Sequence, residues 1–460
     1  MRKILSIIFI CCMFSFALHA QVTIGSNIEA NKGALLDLKE YSGTENSTRG
    51  LVLPRVKLTA LDNLDDVGVS GAAELVSHIG LTVYNVGSSD VCEAAYQSGV
   101  YIWNGQRWTL MGKEELSQAT TGLTGINQPN SYMMAGRGTI IIPTAKAFAV
   151  WDGVSWLDDS GVSVLPARTF TGISPMQAQV IWMDAQNVVT SVSTSSSTED
   201  SSGTITVKTE KCGNAIVALL VDDKIIWSWH IWVTPPVDEV VFNGKTWMDR
   251  NIGAISSSLN NSLSKGLYYQ WGRKDPFPYK TTDWGTTGEP TLYKPDGANP
   301  TINKSVSVGT NNQNNASASV SEPSSFIKSS AFPYDWYSQN LSKWNTRWGA
   351  NGAKSVSDPC PEGWRVPDGT TSPWTGLTVG SSSNFTQNKG WNWSNAGFYP
   401  ATGCRVDANG EINGVSVNGY YWSSQPNISL AKGLYFNSTA MDTWASGYRG
   451  SGFSVRCVKE

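Results

Sequence analysis

Short apolar runs separated by Gly, Asn and Ser occur along the first quarter of the chain. Examples are Val22–Ile24, Gly80–Asn85 and Gly99–Gly105. Runs this short, bounded by turn-forming residues and rich in β-branched and aromatic side chains, are typical of β-strands. They predict a small β-rich module over residues 21–113.

Residues 114–130 are polar and are predicted to form a linker. A second series of apolar runs follows over residues 131–236. The spacing of these runs predicts an immunoglobulin-like antiparallel β-sandwich. In its last predicted strand, 224–233, one face carries the residues expected in the core, namely Ile225, Trp227, Trp229, Ile231 and Val233. Ser228, His230 and Trp232 share the other face. The remaining predicted strands are Thr139–Ile142, Ala147–Trp151, Gln179–Trp182, Thr204–Lys208 and Ala215–Val221.

The third module, residues 237–460, has a mixed pattern. Leu267, Gln270 and Trp271 have helical spacing, which predicts a short amphipathic helix ending at Pro276. Residues 284–330 are rich in Ser, Asn, Thr and Gly, so they predict a long insertion on the surface.

A six-residue motif with an aromatic residue at each end occurs three times, as Trp103–Trp108, Trp151–Trp156 and Phe242–Trp247. Its central Asn-Gly or Asp-Gly favours a two-residue hairpin turn. Residues 101 and 108, 149 and 156, and 240 and 247 should then face each other. The aromatic pair either packs each hairpin or serves as a finger that stacks on sugars, and packing is the favoured interpretation.

The first twenty residues have a basic start, a short apolar run and a small residue at Ala20, which predicts a secretory signal peptide. The chain is therefore expected to be exported, either secreted or held at the cell surface, with the periplasm also open. The later sequence contains no apolar stretch that predicts a transmembrane segment. The formal net charge of −3 becomes −5 once Arg2 and Lys3 are removed, which argues against nucleic acid as a partner.

Five cysteines follow the predicted signal peptide: Cys92, Cys212, Cys360, Cys404 and Cys457. An exported compartment permits disulfides, and with an odd number of cysteines at least one thiol stays free or pairs between chains. Cys360 and Cys457 are the preferred pair because they bracket the last part of the third module. The alternative is that all five are small buried thiols, and the states of Cys92, Cys212 and Cys404 stay open.

Twelve of the twenty tryptophans follow residue 236, more than one core is expected to hold. Trp374, Trp391 and Trp393 lie among Ser, Thr, Gly and Asn, as loop residues do, and are predicted to be exposed. Exposed rings suit sugar faces and protein hot spots. With Trp444 and Arg405 they form the predicted ligand-binding set. For Arg405 and its neighbours among the aromatic motifs, Arg365, Arg449 and Arg456, a structural network is the favoured alternative.

Asp407, Asn409, Glu411 and Asn413 place oxygen-bearing side chains at alternating positions, as some calcium loops do. The same residues also fit a tight hairpin turn, which is the preferred interpretation. No other cofactor is predicted. With only His78 and His230 after the signal peptide, a histidine zinc site or a serine protease triad is disfavoured. No phosphate-binding glycine loop is visible, so the chain is predicted not to be an enzyme.

Three motifs near the C-terminus carry a resemblance to a known family: Asp358–Pro367, Gly419–Ser424 and Gly452–Val458. Residues 237–460 resemble the Fibrobacter succinogenes major paralogous domain, a module of exported surface proteins in Bacteroidetes and Fibrobacteres. The resemblance implies a compact α+β domain of the C-type lectin-like or formylglycine-generating-enzyme-like type, with its two ends close together. The cysteine pair of the enzyme relatives and the calcium motifs of the lectins are both missing here.

The sequence therefore predicts a multidomain, β-rich, non-catalytic adhesion protein whose Trp-rich C-terminal domain contacts glycans or surface proteins. The alternative is a structural subunit or stalk of a surface assembly such as a fimbria, with its tryptophans in cores or subunit contacts. A glycosidase that uses two carboxylates is third, because that chemistry needs no motif visible in one sequence.

Overall fold

The computed structural model describes residues 22–24, 36–38, 51–59, 63–70, 72–86, 98–111, 116–118, 123–279, 284–285, 288–340, 344–349 and 352–460. Most of its regular structure is β-strand, as the sequence predicts. The chain forms two compact units. The smaller comprises residues 1–87 and 98–111, and the larger comprises residues 88–97 and 112–460.

The smaller unit contains two sheets. Strand β1 (Val22–Ile24) runs parallel to β2 (Leu36–Leu38) in a two-stranded sheet. The second sheet has the order β3-β4-β5-β6 and is accompanied by the short helix α1 (Ala72–Ser77). Its strands are β3 (Arg55–Val56), β4 (Thr82–Asn85), β5 (Gly99–Trp103) and β6 (Trp108–Leu110). Among the described residues of this unit, the buried large apolar side chains are Leu58, Leu64, Val83, Tyr101, Trp103 and Trp108.

Two four-stranded sheets enclose one hydrophobic core in the first part of the larger unit. The first has the order β10-β13-β14-β8, with β8 (Ser131–Met134), β10 (Met176–Met183), β13 (Gly213–Val221) and β14 (Lys224–Val233). The second has the order β11-β12-β9-β7, with β7 (Leu116–Gln118), β9 (Gly138–Pro143), β11 (Val189–Thr194) and β12 (Thr204–Thr209). Helix α2 (Ala145–Ala149) occupies a run predicted as a strand, because an apolar run of this length fits either structure.

Both faces of β14 are buried, although the sequence predicts only one. Trp227 and Trp229 enter the core between the two sheets, whereas Trp232 enters a second core together with Trp182 and Ile216. A β-bulge also places Ile226 in the first core, while Ile225 is only half-buried. The alternation missed this because the outward face is covered by residues that come later in the chain.

The remainder of the larger unit contains two sheets and a hairpin. One sheet has the order β15-β16-β27-β18 and joins β15 (Glu239–Phe242) and β16 (Lys245–Met248) to β18 (Trp364–Arg365) and β27 (Val458–Lys459). Trp247 pairs with Val458, so residues 237–460 have their two ends side by side, as the resemblance implies. The hairpin consists of β19 (Gly390–Trp393) and β20 (Gly397–Pro400), next to helix α4 (Ser382–Asn388).

The other sheet has the order β22-β21-β26-β23-β24-β25, and β17 (Tyr268–Gln270) also pairs with β26. Its strands are β21 (Cys404–Arg405), β22 (Ile412–Asn413), β23 (Gly419–Asn427), β24 (Leu430–Phe436), β25 (Met441–Tyr448) and β26 (Gly452–Ser454). Because β17 occupies residues 268–270, the helix predicted before Pro276 is wrong. The strand forms there because residues 268–270 pair with β26 and all three are buried.

The segment 284–330 is not a surface insertion throughout. It contains helix α3 (Asn312–Ser321), whose Ala316 and Val320 pack into the first core. Ile302 and Phe326 belong to the second core. The polar composition misled the prediction because a few well-placed apolar residues are enough to bury such a segment.

Only the third of the three aromatic motifs forms the predicted two-residue turn. Val240 faces Trp247 there, and Asn243 and Gly244 both have positive φ. In the first motif Trp103 faces Trp108 across a four-residue loop, so the predicted register is wrong. The second follows helix α2 and forms no such hairpin. In all three the aromatic residues at both ends are buried, which supports the packing interpretation.

The predicted disulfide between Cys360 and Cys457 is present. Cys212 is also disulfide-bonded, Cys404 is a free thiol, and Cys92 lies outside the described residues. Within the described part of the chain, no helix is both long enough and apolar enough to cross a membrane. The predicted signal peptide also lies outside the described residues.

Candidate functional site

The predicted exposure of the tryptophans is wrong for two of the three. Trp374 and Trp391 are buried, and Trp393 is half-buried. Trp374 packs against Trp247 with 5.8 Å between ring centroids, and the Trp391 indole donates a hydrogen bond to the Asn437 carbonyl. The polar residues around these rings form α4 and its flanking turns, which cover a third small core instead of leaving the rings in solvent.

Arg405 is fully buried and is held by a carboxylate. Its Nη1 and Nη2 lie 3.0 and 2.8 Å from the two carboxylate oxygens of Glu289, and it also donates to the carbonyls of Pro278 and Gly410. These contacts support the structural alternative for Arg405 over ligand binding. Glu289, in turn, has its pKa held below the usual range by Arg405 and Lys304, despite the opposing effect of its partial burial.

The segment that follows Arg405 forms the predicted turn between β21 and β22, with Cys404 opposite Asn413. The Asp407 carboxylate accepts from Ser451, the Asn409 side chain accepts from the Glu411 amide, and Glu411 pairs with Lys304. Each oxygen-bearing side chain that the calcium hypothesis needs, apart from the exposed Asn413, therefore already has a protein partner. No cluster suited to a metal ion is found among the described residues.

The geometry points instead to an aromatic cleft on strands β23, β24 and β25 that the sequence reasoning missed. The cleft has a volume of about 270 Å³. Four rings line it, those of Tyr420, Trp422, Tyr435 and Phe453. Phe453 stacks on Trp422 at 4.1 Å and on Tyr420 at 4.8 Å, and Tyr420 lies 5.1 Å from Tyr435.

The folding pattern of β23 explains how these rings come together. Alternation places Tyr420 and Trp422 on one face of the strand, and Tyr421 on the opposite face in the third core. Small residues at facing positions, Gly433 and Ala445, leave space beside the rings. The sequence signal was the Gly-Tyr-Tyr-Trp motif itself, but its partner Phe453 comes 31 residues after Trp422 and joins it only through sheet pairing.

Polar groups complete the lining of the cleft. Asp442 and Ser446 are exposed and belong to β25. The Tyr435 hydroxyl donates a hydrogen bond to the Asn418 side chain at 3.3 Å and accepts one from the Asn437 side chain at 2.9 Å. Burial, with a smaller contribution from Cys404, raises the pKa of Tyr420 to about 12, so its hydroxyl keeps its proton at neutral pH.

Trp444, the fourth predicted ligand-binding tryptophan, lies on the same strand but is not part of the cleft lining. It is half-buried, and the Lys432 ammonium lies 5.9 Å from its ring centroid. The residues predicted from sequence therefore do not form one site: Trp374, Trp391 and Trp393 pack in or against the third core, whereas Trp444 and Arg405 are not part of that core.

Exposed apolar side chains are concentrated in the smaller unit. Among the described residues, ten large apolar side chains of this unit are exposed, nearly as many as in the much longer larger unit. They are Ile24, Leu36, Leu38, Leu51, Val52, Val76, Ile79, Tyr84, Val86 and Met111. A unit this rich in exposed apolar side chains is a candidate for association with another surface.

Comparison with known proteins bears on this smaller unit. Residues 23–122 match the model of a phage tail-like trimerisation region. Among solved structures, domains 4–9 of the surface layer protein SbsC match with 11% identity and a TM-score of 0.15, over 45% of this chain and 26% of that chain. The chain thus spans about a quarter of that structure, and the similarity is too low to define a fold. No curated protein matches the chain.

Proposed function

We propose that this chain is an exported, non-catalytic surface protein that assembles as a homotrimer through its smaller unit and presents the larger unit for binding. The observation that carries the proposal is the concentration of exposed apolar side chains in the unit where the trimerisation match lies. The proposal joins the two leading interpretations of the sequence, adhesion and surface assembly. The proposal also includes that residues 237–460 form a domain of the Fibrobacter succinogenes major paralogous type, which they resemble in sequence.

The two-stranded sheet of β1 and β2 supports assembly. An isolated pair of strands is marginally stable at best in water. Here the pair also exposes Ile24, Leu36 and Leu38 by 56%, 52% and 45%. Pairing with the same surface in two other copies would remove these side chains from water, and each fully buried aliphatic side chain contributes roughly 1.5–3 kcal/mol. In the proposed trimer, these side chains from three copies would together form a core for this sheet.

Export is supported by the disulfide chemistry. Cys360 and Cys457 are bonded, Cys212 is bonded as well, and such bonds persist in oxidising compartments. The predicted signal peptide would deliver the chain to such a compartment. Together these features favour the bacterial exterior or periplasm over the cytoplasm.

The test is the mass of the chain without residues 1–20, measured by size-exclusion chromatography with light scattering at micromolar concentration. We expect three times the monomer mass. Leu36→Glu with Leu38→Glu should give monomers, because each trimer would otherwise bury six new carboxylates.

Matched controls are Ile173→Glu and Val241→Glu, which change residues of the larger unit exposed by 78% and 74%. These variants should remain trimeric with unchanged circular dichroism. A monomeric wild-type chain at this concentration, or dissociation caused equally by both sets of substitutions, would contradict the proposal.

A further inference from the structure

We propose that the aromatic cleft of β23, β24 and β25 binds one neutral sugar ring, such as the terminal residue of a glycan. This inference deepens the binding role given to the larger unit and so rests on the proposed function. It does not use the predicted set of Trp374, Trp391, Trp393, Trp444 and Arg405. Its basis is the size, the ring arrangement and the charge of the cleft.

The size of the cleft favours a small ligand. Its volume of about 270 Å³ lies just below the range of ~300–1,000 Å³ that suits drug-sized molecules. Gly433 and Ala445 present no large side chain to this space, and at Gly447 the backbone packs directly against the rings. A Cβ added at Gly447 would lie 2.6 Å from Phe453 and 2.7 Å from Trp422, which shows how closely the backbone approaches the rings. A single ring fits such a space better than an extended peptide does.

The apolar part of the lining suits the carbon-bound hydrogens of a sugar. Trp422, Phe453 and Tyr420 stack with interplanar angles of 22° and 27°, and Tyr435 continues the series at 40°. Trp422 and Phe453 are buried and support the half-buried rings of Tyr420 and Tyr435, which form the accessible apolar wall of the cleft. A pyranose ring has apolar patches of C–H groups that can be desolvated against this wall, while its hydroxyl groups remain free to reach polar partners.

The polar part of the lining can bind those hydroxyl groups. Asp442 accepts the Trp444 amide through Oδ1 at 2.9 Å, and its Oδ2 accepts no hydrogen bond from the described residues. Ser446 accepts from Asn427 through Oγ, which leaves its own hydroxyl hydrogen available to donate. The cleft thus offers a charged acceptor and a neutral donor, the combination that recognises a hydroxyl pair.

Charge decides between sugar classes and other small ligands. The cleft is lined by one carboxylate and by no Lys, Arg or His. An acidic sugar or a phosphate would therefore meet repulsion from Asp442 without compensation. A quaternary ammonium is usually enclosed by several open ring faces, whereas here only the half-buried Tyr420 and Tyr435 rings are accessible. A neutral ring with hydroxyl groups needs only one such apolar face and polar partners beside it.

The experiment uses the chain without residues 1–20 and the methyl glycosides of glucose, galactose, mannose, fucose and N-acetylglucosamine. Saturation-transfer NMR should detect at least one of them, with a dissociation constant in the millimolar range that is usual for a small polar ligand. Choline and sialic acid serve as the cationic and anionic comparisons. Asp442→Asn removes the charged acceptor, and Ala445→Leu fills the cleft.

Each of these two variants should weaken binding at least ten-fold. Phe332→Ala is the matched control, because it removes a ring of the same unit that is 62% exposed but does not line the cleft, and its binding should be unchanged. The inference is wrong if no glycoside binds, if choline or sialic acid binds in preference, or if both cleft variants bind as wild type does. Light scattering on the same samples reports the trimer separately, so loss of sugar binding and loss of assembly are distinguishable.

Discussion

Arginine side chains in the larger unit are buried among aromatic rings and carboxylates. Arg347 is fully buried. Its Nη1 and Nη2 lie 2.7 and 2.5 Å from the two oxygens of Asp335. The guanidinium also lies 4.8 Å from the Tyr337 ring centroid and 5.4 Å from that of Trp271. Asp335 is also 3.8 Å from Arg449, so one carboxylate offsets the charge of two guanidinium groups.

Asp335→Asn should therefore lower the free energy of unfolding by about 3–5 kcal/mol, because it removes the carboxylate that pairs with two buried guanidinium groups. Guanidinium unfolding followed by tryptophan fluorescence measures the change. The control is Glu239→Gln, which breaks an ion pair with Lys459 whose side chains are both about half exposed. That substitution should cost less than ~1 kcal/mol. Similar costs at the two positions would contradict the role assigned to Asp335.

His230 makes the stability of the larger unit depend on pH. Burial lowers the pKa of its imidazole to about 3. The unfolded chain binds a proton at this histidine below about pH 6.5, whereas the folded chain does not. The contribution of the neutral imidazole to the free energy of unfolding is therefore fully present above pH 6.5. It falls by about 1.4 kcal/mol per pH unit as the pH decreases toward 3.

The variant His230→Gln removes this titration. At pH 7 it should be less stable than wild type, since His230 contacts Asn214 and Ser131 at 2.9 and 3.1 Å. Its deficit should shrink by about 2 kcal/mol between pH 6.5 and 4.5. Asp184, whose pKa burial raises to about 6, has the opposite pH dependence but is present in both proteins. A deficit that stays constant over this range in urea unfolding would show that His230 titrates normally.

At the scale of single elements, the turn between β15 and β16 shows local sequence deciding structure. Asn243 and Gly244 have φ values of 48° and 71°, the left-handed pair that a two-residue turn of this type requires. A Cβ at Gly244 would have no atom within 4 Å, so a substitution there tests the backbone alone. Gly244→Ala should cost about 1–2 kcal/mol. Gly244→Asn should cost clearly less, because asparagine tolerates this conformation, and equal thermal stabilities for the two variants would refute the explanation.

Local signals of this kind predicted many of the strands, among them β14 with its observed bounds. They failed wherever a distant segment decides burial. Trp374 and Trp391 occur in polar sequence, but their neighbours fold over them. The aromatic cleft was missed for the same reason, since Phe453 meets Tyr420 and Trp422 only when β26 and β23 are paired side by side. Alternation identifies the face on which a residue lies but not what covers that face.

The disulfide joins elements that are far apart in the chain. Cys360 and Cys457 are separated by 97 residues, and Cys457 immediately precedes β27. Closing a loop of this length stabilises the folded chain by about 4–5 kcal/mol in the entropy model. The double variant Cys360→Ala, Cys457→Ala should lose roughly this amount in guanidinium unfolding. Cys404→Ala is the control, as it removes a thiol that is not bonded. A loss no larger than that of the control would mean that the bond adds little.

At the scale of the whole molecule, the two units differ in how they bury apolar side chains. The larger unit has three cores that contain most of its tryptophans. Among its described residues, the smaller unit buries Trp103 and Trp108 but leaves ten other large apolar side chains exposed. The proposed trimer requires that these side chains become buried between copies, so the smaller unit should depend on association and the larger one should not.

This difference predicts two thermal transitions with different responses to concentration. Association stabilises only the state that binds, so the melting temperature of a unit folded within a trimer rises with protein concentration. We expect the transition of the smaller unit to rise between 1 and 100 µM and that of the larger unit to stay fixed. Calorimetry detects both, and Val76→Glu, at a position 66% exposed in the smaller unit, should lower only the concentration-dependent transition. If both transitions are independent of concentration, the smaller unit folds without partners and its apolar surface has another use.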